Sequence, residues 1–215
     1  EDISGLKDLP LKKLYLSKNM ITDFSVLPEL IDLDILCIME NPAEDLSPVG
    51  ECTGISRLNI QGMNLTDIDF LKNLKLDYLD MSNAEIKNNI FEPLAEMKKL
   101  DTLCMCDINE AAEETLSKLS SLKALFMWGD STELEDLKPL KGMEELDTLA
   151  FTTQISSLEG IEQFPSLNFL SVSFSLVKDL SPITGAENLQ TIDISNAEIE
   201  NYEPLLECTG LKEVR

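Results

Sequence analysis

Leu11-Lys12-Lys13-Leu14-Tyr15-Leu16-Ser17-Lys18-Asn19-Met20-Ile21 places apolar residues at its first, fourth and sixth positions. The same frame, L-x-x-L-x-L/I/M/V/F, restarts at Leu33, Ile55, Leu76, Leu100, Leu122, Leu146, Leu167, Leu189 and Leu211. The restarts cut the chain into consecutive blocks of 21 to 24 residues. A unit this short cannot bury its own apolar face, so successive blocks must stack into a solenoid. The period therefore settles the fold class before any single residue is considered.

One block shows the plan. Leu11, Leu14 and Leu16 alternate with polar residues, the period of two expected of a short strand with one buried face. Asn19 closes that half, and Ile21, Phe24, Leu27 and Leu30 line the return. Their spacing of three suits a 3₁₀ or short helical turn rather than a long helix. Pro48, Pro93, Pro139, Pro182 and Pro204 fall early in their returns, where a fixed φ helps start a turn and a missing N–H is harmless.

These blocks, with the return signatures Ile21-Thr22-Asp23-Phe24, Leu65-Thr66-Asp67-Ile68 and Val177-Lys178-Asp179-Leu180-Ser181-Pro182, resemble leucine-rich repeats of the short, 22-residue class. The chain is similar to the arrays of bacterial internalins and of eukaryotic protein phosphatase regulators. The resemblance covers essentially the whole chain. It implies an α/β solenoid: a right-handed horseshoe with a parallel, concave β-sheet and a convex side of 3₁₀ turns, short helices and irregular backbone. It also implies an asparagine at the ninth position of each block, bonded to turn backbone. Only Asn19 and Asn41 sit in that register, while Asn64, Asn83, Asn109 and Asn196 are one residue off and Ser175 and Gln154 replace it. The blocks at Leu76, Leu100, Leu122 and Leu146 vary in length, so distorted returns are expected there.

The expected organisation is one solenoid over residues 1–215. Residues 1–10 form the tail of a truncated repeat, 11–210 nine full repeats, and 211–215 the start of another. Met81-Ser82-Asn83-Ala84-Glu85-Ile86 recurs as Ile194-Ser195-Asn196-Ala197-Glu198-Ile199, and Glu51-Cys52-Thr53-Gly54 as Glu207-Cys208-Thr209-Gly210, which points to internal duplication.

Forty acidic and 17 basic side chains leave a net charge of -23, which repels phosphate backbones and anionic lipid headgroups. Nucleic acid and direct membrane insertion are therefore not expected, and no segment reaches the ~18 apolar residues of a membrane span. There is no His, which removes Ser-His-Asp and Cys-His nucleophiles and His-ligated zinc. Among forty carboxylates, accidental acidic pairs are inevitable and belong to solvated return loops. Asp107-Ile108-Asn109 begins like a calcium loop, but Ala112 stands where that loop needs Gly and Lys118 where it needs Glu. No enzyme, cofactor or metal is expected.

Cys52 and Cys208 share a late core column, where a thiol acts as a small hydrophobe. Cys37, Cys104 and Cys106 take outward strand positions. Cys104 and Cys106 lie about 6.5 Å apart along one strand, strained for a disulfide, so free thiols are expected.

The outward strand positions, the third, fifth and seventh of each block, carry the functional reading. From Thr102 to Ser173 twelve consecutive outward positions hold no charged side chain, in a chain of which 27% is charged. The expected partner-binding residues are Tyr78, Thr102, Cys104, Cys106, Phe126, Trp128, Thr148, Thr152, Phe169, Ser171 and Phe174. Rigid aromatic side chains among small hydroxyl residues suit recognition, and four central strands at ~4.8 Å spacing span about 15 Å. The reading is a non-enzymatic module that binds a protein partner, favourably a basic one, on the concave face. The alternatives are a spacer in a longer bacterial surface protein and glycan binding through the aromatic residues. The resemblance implies a bacterial cell-surface or secreted location, with the cytoplasm as the alternative.

Overall fold

The computed structural model describes residues 1–88, 90–106, 110–128, 134–152 and 155–215. Asp107-Ile108-Asn109 and Gln154, weighed above, lie outside these residues. The chain forms two compact units, Glu1–Met105 and Cys106–Arg215.

In the first unit, β1 (Lys13–Tyr15), β2 (Ile35–Cys37), β3 (Arg57–Asn59), β5 (Tyr78–Asp80) and β7 (Thr102–Met105) pair side by side, all parallel. Between them, β4 (Asn64–Leu65) and β6 (Glu85–Ile86) make a two-stranded parallel pair on the return side. Asn64 Nδ2 there donates to a Glu85 carboxylate oxygen at 3.2 Å. In the second unit, β8 (Ala124–Trp128), β9 (Thr148–Thr152), β10 (Phe169–Ser171), β11 (Thr191–Asp193) and β12 (Glu213–Val214) form the same parallel ladder. Equivalent repeat positions face each other, as in Leu125↔Leu149 and Leu170↔Ile192.

Because the register is one repeat per strand, apolar columns become the core. Leu36, Leu58, Leu79, Leu103, Leu125, Leu149 and Leu170 are each 0% exposed. Behind them Phe24, Leu46, Ile68 and Phe91 in the first unit, and Leu137, Leu158 and Leu180 in the second, fill the return column. Truncating such a side chain to Ala costs about 2–5 kcal/mol. The returns are short, as the spacing of three requires: 3₁₀ turns at Leu27–Glu29, Asp69–Asn73, Ile161–Gln163, Ser181–Gly185 and Glu203–Leu206, and α1 (Ser47–Gly50) and α2 (Glu92–Ala95). Pro28, Pro48, Pro93, Pro182 and Pro204 occupy the first or second position of five of these, whereas Pro139 lies in a turn. The block at Leu100 instead returns through α3 (Glu110–Leu116), seven residues long. Gly50 lets α1 approach the next return closely, because a Cβ there would lie 2.9 Å from the Phe70 carbonyl oxygen.

Two side-chain columns shape the turns. At the eighth position of their blocks, Lys18, Glu40, Gly62, Asn83, Phe174 and Asn196 all take positive φ, between 53° and 66°. This left-handed residue ends the strand, and its N–H reaches the next repeat, as Lys18 does to the Met39 carbonyl at 2.9 Å and Phe174 to the Ser195 carbonyl at 3.0 Å. Asn83 and Asn196 are thus turn residues, for which Asn is the best-tolerated side chain after Gly. Among the described residues, only Asn41 makes the full buried network of the ninth position. Its Oδ1 accepts from the Asn19 and Ile21 N–H groups at 3.2 and 3.0 Å, and its Nδ2 donates to the Leu16 and Ile38 carbonyls, both at 2.8 Å.

The second column opens the returns. Asp23, Asp45, Asp67 and Asp179 each accept the N–H two residues on, at 2.8 to 3.0 Å. Asn88 and Asn201 do the same. These four carboxylates therefore have a local structural task in their return turns.

Candidate functional site

The outward columns follow from the ladder. In β8 the burial alternates, with Leu125 and Met127 buried and Ala124, Phe126 and Trp128 half-exposed. Trp128 thus stands on the outward face with Phe126, and the two rings stack, centroids 5.7 Å apart and planes 16° from parallel. Residues two apart on a strand share a face at about 6.5 Å, so the backbone itself sets up this pair. In register beside Phe126 are Ala150 and then Ser171, and beside Trp128 is Thr152.

Ala150 and Ser171 point outward yet are only 1% and 6% exposed. Small side chains between larger neighbours form a lowered floor. Ser171 Oγ pairs with Ser173 Oγ at 3.1 Å. Thr148 and Phe169 are register partners and both half-exposed. The Arg215 guanidinium carbon lies 5.9 Å from the Phe169 ring centroid, and Arg215 Nε and Nη2 reach the two Glu213 carboxylate oxygens at 3.0 and 3.4 Å. Phe174 lies past the strand end, 67% exposed and at φ 60°. Cys106 is 6% exposed, and its thiol donates to the Trp128 carbonyl oxygen.

The remaining expected residues belong to the first unit. Thr102 is half-exposed at the head of β7. Cys104, expected at an outward position, is buried at 7%, with its thiol 3.9 Å from the Tyr78 hydroxyl. Burial, reinforced by Asp80, pushes the Cys104 thiol up to about 11. Burial likewise raises the Tyr78 hydroxyl above its ordinary value. None of the five cysteines is in a disulfide. Cys52 and Cys208 sit in equivalent places, their thiols 3.5 and 3.6 Å from the Pro48 and Pro204 carbonyl oxygens.

The first unit also carries a feature that the run of uncharged positions did not mark. Tyr15, Ile35, Cys37, Arg57, Asn59 and Tyr78 line an open depression of about 280 Å³. The Arg57 guanidinium carbon lies 4.7 Å from the Tyr78 ring centroid. Alternating strand positions on β1, β2, β3 and β5 place all six on one face, a signal present in the register but not in the charge pattern. Among the described residues no cluster of three or more metal-ligating side chains occurs, and no helix is long and apolar enough to cross a membrane.

Parallel one-repeat ladders, leucine columns and short returns define the leucine-rich repeat fold. Among proteins of that fold the chain resembles the internalins. An internalin, InlF, from Listeria monocytogenes superposes with a TM-score of 0.77 at 24% identity, covering 99% of this chain and 63% of that one. The internalin InlC2 of the same organism gives a TM-score of 0.68 at 21% identity, covering 87% and 82%. The Leptospira interrogans protein LIC12759 gives 0.61 at 19%, covering 99% and 67%. In sequence, 84 residues are 34% identical to the leucine-rich repeat-containing G-protein coupled receptor 5 of Rattus norvegicus, spanning 38% of this chain and 9% of the receptor. No protein-family model matches the chain.

Proposed function

We propose that this chain is a non-enzymatic interaction module that grips a protein partner on the outward face of its strands, with Phe126, Trp128, Phe169 and Phe174 of the second unit as anchors. The stacked Phe126–Trp128 pair carries the reading: two half-exposed rings fixed by the backbone and by each other, among outward positions that hold no charged side chain from Ala124 to Ser173. Rigid aromatic side chains supply contact area with little entropy left to lose on binding. Thr148, Thr152, Ser171 and the floor around Ala150 supply hydroxyls and depth. On the first unit's strands, Tyr78, Thr102 and Cys104 are read separately, as outward positions of that unit's own sheet.

Solved leucine-rich repeat proteins of similar fold include a PEPR1–AtPEP1 structure and the Arabidopsis receptor kinase HAESA with the peptide hormone IDA and the co-receptor SERK1, at TM-scores of 0.58 and 0.64. They support protein recognition as a use of this fold. The net charge of -23 favours a basic partner and an association rate that falls with added salt. Likeness to internalins supports a bacterial surface or secreted location.

The test compares three proteins as baits for surface and host extracts: wild type, Phe126→Ala/Trp128→Ala, and Asp45→Ala on the return side. A partner retained by the first and third and lost by the second is the expected result. Equal capture by all three would remove the aromatic face from the mechanism, and capture of glycans alone would replace the partner class.

A further inference from the structure

We infer that the depression on the first unit is a binding site for a peptide segment that presents a carboxylate next to an apolar side chain, with Arg57 taking the carboxylate and Tyr15, Ile35 and Cys37 the side chain. This goes beyond the aromatic face proposed above, which lies in the second unit, and either can fail without the other.

Arg57 is one of only two arginines in the chain, against forty carboxylates. Both are laid on aromatic rings at outward strand columns, Arg57 on Tyr78 and Arg215 on Phe169. A cation–π contact of this kind restrains the guanidinium while its N–H groups can still meet a planar acceptor in two places. Arg215 shows what that edge does, since it holds both oxygens of Glu213 while resting on Phe169.

Arg57 has the same support but no carboxylate within ion-pair distance among the described residues. Its strand neighbour on β5, Asp80, is held elsewhere: one oxygen accepts from Asn59 Nδ2 at 3.0 Å and the other from the Ser82 N–H at 3.0 Å. The acid nearest in the ladder is thus engaged in its own turn.

Beside the guanidinium the wall becomes apolar. Tyr15 is 65% exposed, and Ile35 sits in register between Lys13 and Arg57. A hollow of about 280 Å³ lies just under the ~300 Å³ at which small-molecule pockets begin. It suits one or two peptide side chains. A fixed cation beside an apolar hollow discriminates acid from amide, because a charge-assisted bidentate pair is about twice as strong as a neutral hydrogen bond. The chain's long-range negative field opposes an acidic ligand, but it decays over about 8 Å at physiological salt.

The test is a titration of the whole ¹⁵N-labelled chain at physiological salt with N-acetyl-Gly-Gly-Phe as the free acid and as its C-terminal amide. The expected result is saturable movement of the Ile35, Cys37 and Asn59 amide signals, with the amide about fivefold weaker or worse. Arg57→Gln should erase the difference between acid and amide, Arg57→Lys should shrink it, and Tyr15→Ala should weaken both ligands alike. The variants' own spectra report whether they fold. Equal binding of acid and amide, saturation at other residues, or no saturable movement would each overturn the site.

Discussion

Trp128 stacks on Phe126, two residues earlier on the same strand, with centroids 5.7 Å apart and planes 16° from parallel. The pair uses the one geometry a strand provides for free, since alternate residues share a face. Each ring is half-exposed. A double-mutant cycle with Phe126→Ala and Trp128→Ala is expected to give a coupling of about 0.5–1.5 kcal/mol in urea unfolding. Trp128 is the only tryptophan, so acrylamide should quench the native emission partly, and more completely in the Phe126→Ala variant. Full shielding in both would place the ring inside.

The two asparagines in ninth-position register are not equivalent. Asn41 is 3% exposed and satisfies four backbone groups, whereas Asn19 is half-exposed and its Nδ2 donates to the Ser17 carbonyl. Asn41→Ala leaves buried backbone donors and acceptors unpaired and is expected to cost about 2–4 kcal/mol, against about 1 kcal/mol or less for Asn19→Ala. Comparable urea midpoints for the two variants would contradict the network.

At Phe174 stability and recognition should separate. A bulky residue at φ 60° pays for a conformation that Gly adopts freely, and the ring gains little burial in return at 67% exposure. Phe174→Gly is expected to raise stability by about 1 kcal/mol. If the ring anchors a partner, the same variant binds more weakly. A stabilised protein with unchanged partner affinity would take Phe174 out of the face.

Two groups of side chains contribute to the change of stability with pH. Hydrogen bonds from Ser4, Ser25, Ser47 and Ser181 hold the Asp2, Asp23, Asp45 and Asp179 carboxyls below their ordinary value. Their contribution is complete above the unfolded value near ~4 and disappears as the pH falls through the lower folded values. Burial raises the Cys52 and Cys104 thiols from 9 to about 11. Their contribution is complete below the unfolded value and is lost as the pH climbs from 9 to 11. Thermal melts should therefore decline at both extremes, and Cys52→Ala/Cys104→Ala should flatten the alkaline side.

The leucine columns were legible because burial in a stacked repeat recurs at fixed intervals, and the alternation around Leu125 and Met127 is what turns Phe126 and Trp128 outward. The turn chemistry was less legible. Asn83 and Asn196 look like displaced ninth-position residues until their positive φ places them in a column with Lys18, Glu40, Gly62 and Phe174, whose side chains have nothing in common. A shared backbone angle leaves a weak trace in residue type. Burial at outward positions also escaped the pattern: Cys104, Cys106 and Ser171 hold positions expected to be outward and are still covered, at 7%, 6% and 6% exposure. The Arg57–Tyr78 contact joins adjacent strands and emerges only once the ladder is in register.

Asn41 also bears on the order of events during refolding. Its amide ties the turn after Leu16 to the turn after Ile38, so the contact between those two repeats is hydrogen-bonded in a way that side-chain packing alone does not provide. In a linear array each repeat folds against a neighbour, and growth starts at the strongest junction. The expected nucleus is thus the Leu11–Gln61 stretch, with later repeats adding in sequence. Substitutions at Asn41 should slow refolding, and those in distant leucine columns should chiefly speed unfolding.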